Sequence, residues 1–238
     1  MLSEIIFTNT QLKLDMKESK TGLSLNDRRT VVLEQVVPLK LVQLNFTQPF
    51  TWASGWLSPI YCNFRQLLRY PQARGVTARA LAQGVRENYP NATVILGVAT
   101  GSIAIAMAVA EELGLPYGYV REKPKDHGTG DQIEGGIEKG DQAVIVEDVV
   151  STGGSLLRAV EAVRNDGRAE VLGTATIMTY GFPVAIESFE KADCSLVSVL
   201  DYDLLLQYGV NKGIIAESAV PALKEFKDDP AKWGERYK

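Results

Sequence analysis

Residues 144–155, VIVEDVVSTGGS, gather groups that could hold a phosphorylated sugar. A β-branched run ends in two adjacent acids, Glu147 and Asp148, and passes into a turn of hydroxyl residues and glycines before a helix-like stretch. Glycines let a backbone approach a ligand closely, and the amides that open a helix point at an anion. Ser151, Thr152 and Ser155 add hydroxyl donors beside Gly153 and Gly154. A phosphate fits that cradle. The two upstream carboxylates would repel it, and suit sugar hydroxyls or the water around a divalent cation instead. The GK[ST] ending of a P-loop is missing. The bland alternative is a strand–turn–helix with ordinary capping residues.

Two further segments carry chemistry. In 120–130, VREKPKDHGTG, Arg121, Lys123, Lys125 and His127 lie within seven positions of an otherwise acidic chain, whose formal net charge is −4. His127 is the only histidine, set between Asp126 and Gly128 with no apolar stripe around it. Such a run bounded by glycines suits a flap over an anion; a solvated charged turn is the alternative. In 97–102, GVATGS, a short turn joins a strand to a helix, a weak signal alone.

Alternating elements must position these loops. The pattern predicts strands at 94–98, 117–120, 143–146, 171–178 and 196–200. Helices are predicted at 76–88, at 102–113 with Gly114 as its stop, at 154–165 with Asn165-Asp166-Gly167 as its stop, and at 184–192. The order implies an α/β fold, a mostly parallel sheet flanked by helices. Ligands in such sheets bind at the carboxyl ends of the strands, where all three loops fall. Residues 1–30 show no sustained period. Between Thr30 and Leu44, Pro38 should separate a helix from a strand.

Composition narrows the remaining classes. With 238 residues, 45% hydrophobic and 23% charged, the chain can bury a core without staples. Its longest apolar run, Ile103–Ala110, is far short of a membrane span. A pI near 5.2 offers no global basic field for nucleic acid. Two cysteines make no disulfide framework, one histidine makes no multi-histidine metal site, and the first twenty residues do not read as a signal peptide. A cytoplasmic protein is the expectation.

The 144–155 segment resembles the phosphoribosyl pyrophosphate (PRPP) signature of type I phosphoribosyltransferases. The Lys-Asp-His-Gly run at 125–128 is similar to the catalytic flap of the orotate phosphoribosyltransferases. FTWASGWLSPIY at 50–61, TYGF at 179–182 and DYD at 201–203 resemble that family's bacterial branch. The resemblance implies a domain over about 46–238 with a small orotate-side hood, leaving 1–45 as an N-terminal arm and first helix. It implies transfer of ribose 5-phosphate from PRPP to orotate, with Mg²⁺ held through PRPP and water rather than by the protein directly. It assigns ribose to Glu147 and Asp148, and the 5-phosphate cradle to Val149, Val150, Ser151, Thr152, Gly153, Gly154 and Ser155. Pyrophosphate falls to Thr100 and Gly101 and to Arg121, Lys123, Lys125 and His127, and orotate to Tyr61, Cys62 and Ser151. Lys125, His127 and Asp148 would serve catalysis, in a homodimer whose 121–130 flap reaches the neighbouring site, with no nucleic acid or membrane as partner. The chain departs from the family pattern: Leu57 stands for a lysine, Glu122 for a second basic residue, Asn63-Phe64-Arg65 for Asp-Asn-Arg and Ile105 for a histidine, and no arginine lies near Tyr180. A phosphoribosyltransferase for a purine or uracil, a PRPP-binding regulator without chemistry, and a plain nucleotide-binding domain are the alternatives.

Overall fold

The computed structural model describes residues 24–45, 47–52, 55–124 and 131–237. Helix α1 (Leu25–Val36) opens it, its N-cap Ser24 accepting a hydrogen bond from the Asp27 amide. Helical structure thus begins inside the stretch without a clear period. Four short strands follow: β1 (Val42–Leu44), β2 (Phe50–Thr51), β3 (Leu57–Ser58) and β4 (Ile60–Cys62). They form two antiparallel pairs, β1 with β4 and β2 with β3. Pairs this small are not stable alone. They hold because Trp52 and Trp56 pack into an aromatic cluster with Tyr180, Phe182 and Phe226.

The larger part alternates as its pattern predicts. Helix α2 (Pro71–Asn88) leads to β5 (Val94–Val98), α3 (Ile103–Leu113), β6 (Tyr117–Val120), β7 (Ile133–Gly135) and β8 (Asp141–Val150). Then come α4 (Gly154–Asp166), β9 (Ala169–Thr179), α5 (Pro183–Lys191), β10 (Leu196–Asp201), α6 (Tyr202–Asn211), α7 (Val220–Asp228) and α8 (Pro230–Trp233). Proline at the first helical position lets α2 start five residues earlier than its apolar period suggests. Gly114 and Gly167 end α3 and α4 in left-handed conformations, φ 68° and 75°.

The central sheet has the order β10-β9-β8-β5-β6-β7, parallel except for β7. Alternate strand residues feed two cores. Ile95, Val144, Val146 and Ile177 meet α1, α2 and α3 on one face. Leu96, Val98 and Ile145 meet Leu156 and Val160 of α4 and Phe189 of α5 on the other. Helix α1 shares the first core, although the sequence reading set 1–45 apart. Its Val32, Leu33 and Val36 are at most 1% exposed, and each such burial stabilises by about 1.5–3 kcal/mol. The Arg28–Glu87 ion pair at 2.7 Å, open to solvent on the glutamate side, adds about 0–1 kcal/mol. Burial, not charge, anchors the helix.

Candidate active site

The strand order reverses direction between β5 and β8. Crevices form at such a reversal, because the two following loops diverge to opposite faces. The loops here are 99–102 and 151–153, the tightest parts of the GVATGS and VVSTGGS segments.

Strand β8 outruns β5. Pairing between them stops at Gly97↔Val146, while β8 stays paired with β9 as far as Val150↔Thr179. The strand was expected to end at Val146, where the β-branched run meets the acids. Cross-strand bonding to β9 carries it four residues further, so Glu147 and Asp148 lie in a strand and face the loop after β5. Both are buried, at 6% and 8% exposure.

The two carboxylates have different tasks. Glu147 spends both oxygens on the loops: Ser102 Oγ lies 2.9 Å from Oε1, and Ser155 Oγ donates to Oε2 at 3.1 Å. Ser102 Oγ also lies 2.7 Å from the Val98 carbonyl oxygen, and the Asp148 amide donates to Glu147 Oε1 at 3.2 Å. Burial first, then the neighbouring Asp148 charge, push the Glu147 carboxyl up to about 8. Glu147 therefore clamps the two loops together. Asp148 accepts from the Val149 amide through Oδ1 at 2.8 Å and turns Oδ2 toward Arg65, whose Nε is 3.8 Å away. Burial raises its carboxyl and Arg65 opposes that shift.

A folded-state value above that of an unfolded glutamate means that Glu147 supports folding fully at low pH. That support is lost as pH rises from the ordinary glutamate range through about 8. Glu147→Gln should therefore lose less stability than wild type between pH 5 and 8.5, a difference on the order of a few kcal/mol. Chemical denaturation across that range measures it, and parallel stability curves would refute a buried, protonated Glu147.

The cradle below is built by glycine. Gly153 caps α4 at φ 83°, and a Cβ there would sit 2.8 Å from Phe189 Cε2. Gly153→Ala should cost about 1–3 kcal/mol in backbone strain alone, with the contact to Phe189 adding to it. Thermal melts test it; an unchanged melting point would refute the strain at Gly153. The loop after β5 contains a cis peptide between Ala99 and Thr100, with Thr100 exposed and Gly101 against Arg65 and Asp148. Ser151 and Thr152 are half-buried above the crevice, Val149 is half-buried and Val150 is 2% exposed.

On the hood side, Tyr61 is exposed at 39% with its ring 5.5 Å from that of Phe50. Cys62 is buried beside Met178 and Tyr180, at 3.6 and 3.4 Å. Burial pushes its thiol up to about 12, with the Asp148 charge adding to the rise, so it is a neutral packing group. Arg121 follows β6 and lies 3.9 Å from Glu134 on β7, and Lys123 is exposed. Lys125 and His127 lie outside the described residues. Sequence reasoning missed two participants. Ser102 ends the GVATGS turn and signals nothing by type. Arg65 was visible only as the tail of a departed triplet. Leu57 packs against the C-terminal turn: a Cβ on Gly234 would lie 3.1 Å from the Leu57 Cβ. Tyr180 and Phe182 of TYGF stack in the core at 5.3 Å, and Asp201 of DYD caps α6 through the Leu204 amide.

Comparison with known proteins bears on the same residues. A phosphoribosyl transferase domain model matches residues 65–192. The orotate phosphoribosyltransferase of Porphyromonas gingivalis is 43% identical over 204 residues, covering 86% of this chain and 97% of that one. The chain belongs to the orotate phosphoribosyltransferase family. Another member of the family, from Phocaeicola vulgatus, is 46% identical over 200 residues, covering 84% and 94%. Among solved structures, orotate phosphoribosyltransferase from Aeropyrum pernix superposes with a TM-score of 0.64 at 29% identity, covering 76% of this chain and 96% of that one. The Mycobacterium tuberculosis enzyme in complex with PRPP gives 0.59 at 27% identity, covering 75% and 98%. The type I phosphoribosyltransferase fold is thus confirmed on the mostly parallel sheet described above.

Proposed function

We infer that this chain transfers the ribose 5-phosphate group of PRPP to orotate, giving orotidine 5′-monophosphate and pyrophosphate. The observation that carries the reading is the meeting of the 99–102 and 151–153 loops with the buried Glu147–Asp148 pair at the strand-order reversal. Family membership supplies orotate as the acceptor.

The reaction builds positive charge on the ribose ring and negative charge on the departing pyrophosphate. Positioning and electrostatics suffice, without a covalent nucleophile. Asp148 holds a ribose hydroxyl and faces the cationic ring. Glu147 keeps the loops in register, and a neutral carboxyl there does not repel the phosphates. Amides of 151–155 take the 5-phosphate. Arg121, Lys123, Lys125 and His127 are assigned to pyrophosphate, and Lys125 or His127 to its protonation. Tyr61, Cys62 and Ser151 are assigned to the orotate ring.

Among the described residues no three acidic, histidine or cysteine side chains gather to cage a metal. Substrate oxygens and water would fit Mg²⁺ without a direct protein ligand, since the ion commonly keeps water and substrate phosphates as ligands. Mg²⁺ bound there would neutralise charge on the leaving pyrophosphate. We also assign a homodimer in the cytoplasm, with residues 121–130 serving the neighbouring site. Among the described residues no helix is long and apolar enough to cross a membrane.

Steady-state assays of orotate, uracil and purines with Mg²⁺ and PRPP test the reading. Orotate consumption with stoichiometric pyrophosphate release is the expected result. A purine or uracil product without orotate turnover would replace the acceptor, and PRPP binding without turnover would make the chain a regulator.

A further inference from the structure

We propose that Arg65 is a pyrophosphate-binding residue, one that supplies over Gly101 the positive charge which the 97–102 loop itself lacks. The proposal rests on the reading of the site as a PRPP site.

Three groups from distant parts of the chain converge. A Cβ built on Gly101 would lie 2.9 Å from Arg65 Nε, 3.0 Å from its Nη2 and 3.1 Å from Asp148 Oδ2. The guanidinium therefore occupies the space that a side chain at 101 would take. The GVATGS loop contains no cation of its own. Backbone amides alone would have to hold a multiply charged pyrophosphate beside the Asp148 carboxylate, which repels it. Arg65 supplies the missing charge where a side chain of the loop would have delivered it, and glycine at 101 leaves it room.

Its local structure is suited to this. Arg65 lies in a 3₁₀ turn, Phe64–Arg69, whose Phe64 and Leu67 are 3% and 2% exposed. Those two apolar anchors fix the backbone while the Arg65 side chain stays 67% exposed. The departure from the family pattern at Phe64 thus serves to seat its neighbour. Arg65 is not locked onto Asp148: its guanidinium is largely exposed, and at 3.8 Å the contact with the buried carboxylate is longer than a hydrogen bond. Among the described residues its guanidinium makes no hydrogen bond. Its donors are free for a planar, bidentate acceptor such as a phosphate. When pyrophosphate arrives, Arg65 moves from the weak carboxylate contact to the stronger one, and Asp148 Oδ2 turns to the ribose.

Arg65→Ala and Arg65→Lys test this in the full-length enzyme. In Arg65→Ala the KM for PRPP should rise about 10- to 100-fold, the loss of one charge-assisted pair. The KM for orotate should stay near that of wild type, and Arg65→Lys should recover part of the loss. Arg65→Ala should melt somewhat earlier, because Arg65 is the cation beside the buried Asp148 carboxylate, and Arg65→Lys should restore the melting point. An unaltered KM for PRPP, or an increase confined to orotate, overturns the assignment. Calorimetric titration with inorganic pyrophosphate decides the same point without turnover: weaker binding by Arg65→Ala supports it, and equal or no binding by both proteins overturns it. Failure of wild type to consume orotate would instead count against the proposed reaction, leaving the titration to judge Arg65.

Discussion

Asp148→Asn should lower kcat by roughly two to three orders of magnitude, the range found when one preorganised electrostatic group is removed from a reacting centre. The substitution keeps the shape of the side chain and can keep the Val149 amide as donor to Oδ1. What it removes is the charge on Oδ2, the carboxylate oxygen that lies beside Arg65 and Gly101. A cationic ribose ring loses its nearest counter-charge, and the loss falls on the transition state more than on bound PRPP. Folding should not suffer. The substitution also removes a buried charge, whose burial raises the Asp148 carboxyl in the free protein. A variant that melts no earlier than wild type and has lost nearly all turnover is the expected result. Turnover within threefold of wild type at saturating PRPP would take Asp148 out of the reaction.

Lys125→Ala should remove most of kcat as well, by about 10²–10⁴-fold, as expected for loss of a group that neutralises and protonates the leaving pyrophosphate. The assignment comes from the Lys-Asp-His-Gly run and from family membership. If residues 121–130 serve the neighbouring subunit, the two variants complement one another. Mixed Lys125→Ala and Asp148→Asn subunits would form some dimers with one intact site, and about a quarter of wild-type activity should return with random pairing. Recovery in the mixture, with none in either variant alone, supports both the dimer and the exchange. Mixed dimers without recovered activity would place Lys125 in its own subunit's site, and wild-type turnover of Lys125→Ala would refute its role.

Part of the candidate site was legible before the structure, for local reasons. The amides, hydroxyls and glycines proposed to hold a phosphate are continuous in the chain, so 144–155 displays them directly. Helix ends at Gly114 and Gly167 were equally local, since a left-handed residue follows from glycine itself. The clamp was not legible. Glu147 and Asp148 look equivalent side by side, yet one is tied to Ser102 and Ser155 while the other opens to Arg65. That difference depends on β8 continuing past β5, and the continuation is set by pairing with β9 rather than by residue preference. TYGF and DYD resemble the family as motifs, and their contacts here include a ring stack, a helix cap and the Tyr180 hydroxyl beside Cys62.

The sequence by itself determined the alternation of strands and helices, the positions of the loops and the chemical class of ligand those loops suit. These depend on periodicity and on neighbours in the chain, which need no folding to be present. Tertiary structure alone decided the strand order, the crevice at its reversal, the inclusion of α1 in the core and the meeting of Arg65, Gly101 and Asp148. Each of these joins residues far apart along the chain through packing and cross-strand bonding, and no local pattern records which distant partners will meet.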